Sequence, residues 1–270
     1  MSDGFSKPLL QIRGLRVDYG RGRRRATALN EVDLDLAAGR TVGLVGESGS
    51  GKTTLGKAVL GRVRPDRGSI VFDGQDITHV TGRARRPLAT RIQVVFQNPY
   101  LALNPQRTVA QSVAETLTTR TDVSDDEVRS RVLESLEHVG IARSAADRFP
   151  ASFSGGQRQR IAIARALLPR PDLVVCDEAV SALDLSIQAQ VLNLLVELQD
   201  ELGMAYLFIT HDLAVVRHLC HDIVVLKDGG VVEHGRTAEV CAAPTQAYTR
   251  KLLDSAPVAD PDLQRASRAS

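Results

Sequence analysis

A chain of 270 residues suits one large α/β domain, or one domain with a small appendage. Some 43% of the residues are hydrophobic, enough for a sizeable core, while a formal net charge of +2 lies too near balance for a nucleic-acid protein. Cys176, Cys220 and Cys241 lack the paired spacing of a zinc site, and so sparse a set fits a reducing compartment better than a disulfide scaffold.

In chain order, Met1 to Leu10 holds no long apolar core, so no signal peptide is expected. No stretch approaches the roughly 18 apolar residues of a spanning helix, so work at a membrane would need a partner to hold the chain there. Leu9 to Ile12 reads as a short strand followed by a loop carrying Tyr19. The basic run of Arg21, Arg23, Arg24 and Arg25 reads as a solvated turn between strands rather than a binding patch. Glu31 to Leu36 alternates, with Val32, Leu34 and Leu36 on one face, as in a half-buried antiparallel strand. Thr41 to Val45 is a more apolar strand, and Ser69 to Phe72 and Arg91 to Phe96 follow.

The middle of the chain turns helical. Ser124 to Glu127 has capping-box spacing, and Val128, Val132, Leu133, Leu136 and Val139 recur at helical intervals until Gly140. Residues of about 104 to 150 therefore look like a helical insertion in an α/β domain. Asp172 to Cys176 and Ala205 to Ile209 read as buried parallel strands. Between them Ile187, Val191, Leu194, Leu195, Leu198 and Leu202 form a helical stripe that core packing explains in full. Ile223 to Leu226, a turn at Asp228 to Gly230, and Val231-Val232 read as a hairpin. The last dozen residues read as a frayed tail.

Several segments carry chemistry. Gly46-Glu47-Ser48-Gly49-Ser50-Gly51-Lys52-Thr53 satisfies G-x-x-x-x-G-K-[ST] between a strand and a helix. The glycines let backbone N–H groups turn onto phosphate oxygens at a helix N-terminus. Lys52 is expected to reach the β- and γ-phosphates and Thr53 to offer its hydroxyl to Mg²⁺, with Thr54 closing the loop. A flexible Gly/Ser linker would not need Lys-Thr there. The apolar run Leu173 to Cys176 delivers Asp177 and Glu178. Asp177 is expected to serve the metal, and Glu178, one residue on, to point elsewhere and polarise water. Ser154-Gly155-Gly156-Gln157 opens a helix and makes a second anion-seeking N-terminus.

On these motifs the chain resembles the ABC ATPase family. That resemblance implies a P-loop fold with a RecA-like core, an N-terminal antiparallel β subdomain and an inserted α-helical subdomain of about 104–165. It sets the ATPase domain at 8–255 and a short tail at 256–270. It implies ATP and Mg²⁺ as cofactors, and a dimer in which Ser154 to Gln157 of one subunit closes on the ATP held by its partner. Tyr19 matches the aromatic that stacks on adenine, although a half-buried tyrosine would read the same. Gln97 matches the glutamine that touches magnesium and senses the permease, Asp184 lies in the segment Ser181 to Asp184 that crosses the dimer interface, and His211 matches the γ-phosphate histidine. Phe153 and Ala179 stand where the family patterns usually have Leu and Pro.

Phe96 to Pro105, Ser181 to Gln190, and Ala243-Pro244 with Tyr248 to Arg250 are similar to the ATPases of oligopeptide and dipeptide importers. Nickel and glutathione systems share these marks. The resemblance implies two integral membrane permease subunits, a second ATPase subunit, indirectly an extracellular solute-binding protein, and a place on the cytoplasmic face of the membrane. A ribosome- or DNA-directed ABC ATPase would carry tandem domains or coiled coils, and a P-loop kinase would leave Ser154 to Gln157 unexplained. The absence of the C-terminal cysteine cluster of some members predicts no iron–sulfur site. The solute stays open.

Overall fold

The computed structural model describes residues 7–20, 25–98, 102–117 and 124–255. Arg21, Arg23 and Arg24, the subfamily mark at residues 99–101, and the 256–270 tail lie outside them. Strands β1 (Leu10–Tyr19), β2 (Ala26–Leu36), β4 (Arg67–Phe72) and β5 (Gln75–Asp76) form one antiparallel sheet in the order β2-β1-β4-β5. Strands β3 (Thr41–Val45), β6 (Ile92–Phe96), β7 (Leu173–Asp177), β8 (Ala205–Ile209), β9 (Asp222–Lys227) and β10 (Gly230–Arg236) form the second, ordered β10-β9-β3-β8-β7-β6. All its pairings are parallel except the β9–β10 hairpin.

The central strands β3, β7 and β8 are buried on both faces, so they are apolar along nearly their whole length rather than alternating. On one face Val42, Leu44, Val175, Leu207 and Ile209 meet the antiparallel sheet and Leu55 and Val59 of helix α1 (Lys52–Val59). On the other, Val45, Val174, Cys176, Tyr206 and Phe208 meet the helical layer. Cys176 is a fully buried packing residue, as expected.

That layer and its surroundings hold α2 (Arg86–Arg91), α3 (Val109–Ala114), α4 (Asp125–His138), α5 (Gly155–Leu167), α6 (Leu185–Leu202), α7 (Leu213–Leu219), α8 (Thr237–Ala242) and α9 (Ala247–Ser255). Helices α3, α4 and α5 pack on one another through Val109, Val113, Val132, Leu136, Ile161 and Ile163. Gly140, at φ 74°, follows α4 where the stop was expected.

Three expectations need correction. Tyr19 is not in a loop: β1 runs to Tyr19, which pairs with Ala26. Gly14 at φ 53° and register shifts after Ile12 and Leu15 break the alternation, which hides the strand's second half from a period-2 reading. At Ser124 the hydroxyl accepts the Glu127 amide at 3.3 Å, so the cap is present, but no return bond from the Glu127 side chain closes the box. Leu202 leaves the α6 stripe and is 41% exposed, because Gly203 at φ 69° ends the helix there.

Candidate nucleotide-binding site

The parallel strands set the site. Phe96, Asp177 and Ile209 stand level across β6, β7 and β8, so the residues just beyond them emerge together at the strands' C-terminal ends. That edge is where open α/β sheets bind ligands. Strand β3 ends beside β8 and runs into Gly46.

The 46–51 loop has a backbone only glycine permits. Gly46, Gly49 and Gly51 lie at φ 150°, 84° and 106°. A Cβ at Gly46 would strike the Leu226 carbonyl, and one at Gly51 would lie 2.5 Å from the Ala28 carbonyl oxygen. The Gly229 amide donates to the Ser50 carbonyl at 3.1 Å, tying the loop to the β9–β10 turn. Glu47, Ser48 and Gly49 are exposed and Ser50 is buried. The first turn of α1, with Lys52, Thr53 and Thr54, then presents N–H groups that have no partner within the helix. Tyr19 is 45% exposed and belongs to the strand pair that abuts this loop at Ala28.

Lys52 is only 6% exposed, and its ammonium donates to the Gly46 and Glu47 carbonyls at 2.7 and 2.8 Å. Burial lowers its pKa, against the opposing charges of Glu178 and Asp177. The Thr53 hydroxyl donates to Asp177 Oδ1 at 3.3 Å. Burial raises the Asp177 pKa, the Thr53 bond lowers it, and the neighbouring Glu178 charge raises it again. Asp177 and Thr53 together offer hard oxygen ligands of the kind Mg²⁺ takes, so the donor set fits that ion.

Glu178 sits at φ 51°, uncommon for a residue with a Cβ. Its carboxylate has partners distinct from that of Asp177, which takes the Thr53 hydroxyl. Gln97 Nε2 donates to Glu178 Oε2 at 3.0 Å, and His211 Nδ1 lies 3.5 Å from Oε1. Ser181, to which sequence reasoning gave no separate role, completes the group: its hydroxyl donates to the Glu178 carbonyl at 3.0 Å and accepts from Gln97 at 3.1 Å. Its place three residues after Glu178, at the head of the Ser181 to Asp184 segment, is the signal for it in the sequence.

Ser154, Gly155, Gly156 and Gln157 open α5, whose Gln159 Nε2 donates to the Ala179 carbonyl at 2.6 Å. Ser154 caps α5: its hydroxyl accepts the Gln157 amide at 3.3 Å, and the Gln157 side chain accepts the Ser154 amide at 3.0 Å. The structure thus has two helix N-termini with glycine-rich entries; Glu47, Ser48 and Gly49 are exposed at one and Ser154 and Gln157 at the other, where Gly156 is buried. Asp184 caps α6 through the Ile187 amide at 3.0 Å and Ser186 at 2.9 Å, bonds that hold its carboxyl below the usual range. Leu185 beside it is 83% exposed.

The sequence pattern of the ABC transporter family matches residues 29–181. The glutathione import ATP-binding protein GsiA of Salmonella typhi is 45% identical over 97% of this chain, which spans only 43% of that relative's length. A Brucella ovis protein provisionally named as a peptide import ATP-binding protein is 45% identical over 94% of this chain and 80% of its own length. Among solved structures, cbiO1 from Clostridium perfringens, part of the ABC transporter complex cbiONQ, has a TM-score of 0.81 at 29% identity, covering 97% of this chain and all of its own. A dimeric ATP-binding cassette in a post-hydrolysis state bound to ADP and Pi has a TM-score of 0.75 at 31% identity, over 84% of this chain and 98% of its own. With the strand-end cluster, the phosphate-loop geometry and these likenesses agreeing, the chain belongs to the ABC transporter family.

Proposed function

We propose that this chain is the ATP-hydrolysing subunit of a bacterial importer, with a peptide-type solute as its cargo. The observation that carries the catalytic part is the Glu178 carboxylate. Gln97 meets it on one side and His211 on the other, beside the phosphate loop. Residues 8–255 form the ATPase domain, with a helical subdomain at about 104–165 and a tail at 256–270.

In this reading Gly46, Glu47, Ser48, Gly49, Ser50, Gly51, Lys52, Thr53 and Thr54 hold the phosphates, and Tyr19 stacks on adenine. Lys52, now shared between two carbonyls, turns to the β- and γ-phosphates. Asp177, Thr53 and Gln97 would hold Mg²⁺, which when bound neutralises charge on the transferring phosphoryl group. Glu178 is the general base for the attacking water, and His211 orients the γ-phosphate and that water. A base positioned this way contributes about 10² to 10⁴ in rate.

Ser154, Gly155, Gly156 and Gln157 close on the nucleotide of a second ATPase subunit, and Asp184 with exposed Leu185 faces that subunit. The exposure of Ser154, Gln157, Asp184 and Leu185 supports this. No helix of the described residues is long and apolar enough to cross a membrane, which fits peripheral attachment to two permease subunits on the cytoplasmic face. A solute-binding protein acts indirectly from outside. Names of the 45%-identical relatives support peptide or glutathione cargo.

Affinity purification from solubilised membranes tests the transport reading. Two permease subunits and an ATPase partner are expected in the eluate, and transport assays on that complex then separate peptide from nickel or another small solute. A chain that stays unattached in cells expressing its genomic neighbours would favour a non-transport ABC ATPase.

A further inference from the structure

The last described helix reaches back to the phosphate loop. Tyr248, in the first turn of α9, accepts the Glu47 amide at its hydroxyl, 3.1 Å away. Several contacts fix the tyrosine there. Glu233 of β10, 8% exposed, accepts the Thr245 amide at 2.7 Å, the Thr245 hydroxyl at 2.8 Å and the Gln246 amide at 3.3 Å. The turn entering α9 is thereby tied to the sheet. Leu252 and Leu253 pack against the helical-side core. The Lys227 ammonium lies 5.1 Å from the Tyr248 ring centroid.

The clamp acts on a peptide that is constrained from other directions as well. The Leu226 carbonyl leaves no room for a Cβ at Gly46, and the carbonyls of Gly46 and Glu47 both accept from Lys52. With its amide held by Tyr248 and its carbonyl by Lys52, residue 47 is fixed at both ends. Glu47 is otherwise exposed and stands at the mouth of the loop. A loop ordered before its ligand arrives loses less freedom on binding.

We propose that Tyr248 is a positioning residue for the nucleotide site: through the Glu47 amide, the C-terminal helix preorganises the phosphate loop and sets nucleotide affinity. The inference rests on the ATP-binding reading of that loop. It makes Ala243 to Ser255 part of the site's machinery rather than an appendage.

Tyr248→Phe keeps the ring and its packing and removes only the hydroxyl. In the nucleotide-free chain, deuterium exchange at the Glu47 amide is expected to accelerate. In ATPase assays the KM for ATP is expected to rise about 2- to 10-fold, the range of one lost hydrogen bond, with kcat within about 2-fold. Glu233→Gln, which loosens the 245–246 turn, is expected to raise KM in the wild-type background and to add little in the Tyr248→Phe background. Unchanged Glu47 exchange in Tyr248→Phe overturns the clamp. An unchanged KM, or a KM and kcat that fall off together with loss of folded protein, overturns the positioning role. A wild-type chain that binds no ATP sinks the proposed function instead, and the exchange measurement still decides whether the clamp exists.

Discussion

Gly156 stands at the contact between α5 and α6, and replacing it tests their packing. It lies in the first turn of α5, where a Cβ would stand 2.5 Å from Ile187 Cγ2 on α6. Ordinary van der Waals contact begins near 3.4 Å. Two effects of opposite sign compete in Gly156→Ala. Helix propensity alone favours alanine by about 1 kcal/mol. Overpacking against a β-branched neighbour costs about 1–3 kcal/mol, because Ile187 has few rotamers into which it can retreat. The clash is expected to win, with a net loss of about 1–2 kcal/mol and a fall in melting temperature of roughly 2–8 °C. Thermal unfolding of Gly156→Ala, Ile187→Ala and the double variant reads this as a cycle. Truncating Ile187 is expected to cost stability on its own and to cost about 1–2 kcal/mol less once the alanine methyl is present. Additive single effects, or a stabilised Gly156→Ala, would refute the contact as the reason for glycine at this position.

Other outcomes follow from single contacts. Gly51→Ala adds both a positive-φ penalty and a methyl 2.5 Å from the Ala28 oxygen, whereas Gly49→Ala at φ 84° meets nothing within 4 Å. Gly51→Ala should therefore be the more destabilising by more than about 1 kcal/mol, and equal melting temperatures would contradict the geometry. Tyr206 is fully buried and donates to the Leu195 carbonyl at 3.1 Å, so Tyr206→Phe should cost about 1 kcal/mol in urea unfolding. At Glu233 burial raises the pKa, but the Thr245 hydroxyl and the Thr245 and Gln246 amides that donate to its carboxylate help to hold it below the ordinary glutamate value of 4.5. Its contribution to stability is full above pH 4.5 and is lost as pH falls through the lower folded value. Glu233→Gln should flatten the acid limb of the stability profile, and an unaltered limb would count against this.

Much of the site was legible because its chemistry is local in sequence. Gly46 to Thr53 announces a phosphate loop through spacing alone, and the apolar runs Leu173 to Cys176 and Ala205 to Ile209 announce strands buried on both faces. What the chain could not show was which distant residues converge. Gln97 and Ser181 lie 84 positions apart and meet only because β6 and β7 are neighbours. Tyr248 and Glu47 are separated by 201 positions and meet through a helix anchored on Glu233, a contact no local pattern encodes. Tyr19 reads as loop from the sequence alone because a left-handed Gly14 and successive register shifts erase the alternation that marks a strand. Ser154 to Gln157 was legible as a motif, and the reciprocal cap that Ser154 and Gln157 make at the start of α5 became visible only in the fold.

The central claim is that Glu178 activates water for an ATP held at the phosphate loop. ATP binding and single-turnover hydrolysis, measured side by side on the wild-type chain and Glu178→Gln, test it most directly. The substitution is nearly isosteric and keeps a partner for Gln97, so nucleotide affinity should stay within a few-fold. Hydrolysis should fall by roughly 10²-fold or more. A Glu178→Gln variant that hydrolyses ATP at a near-normal rate would remove Glu178 from the reaction.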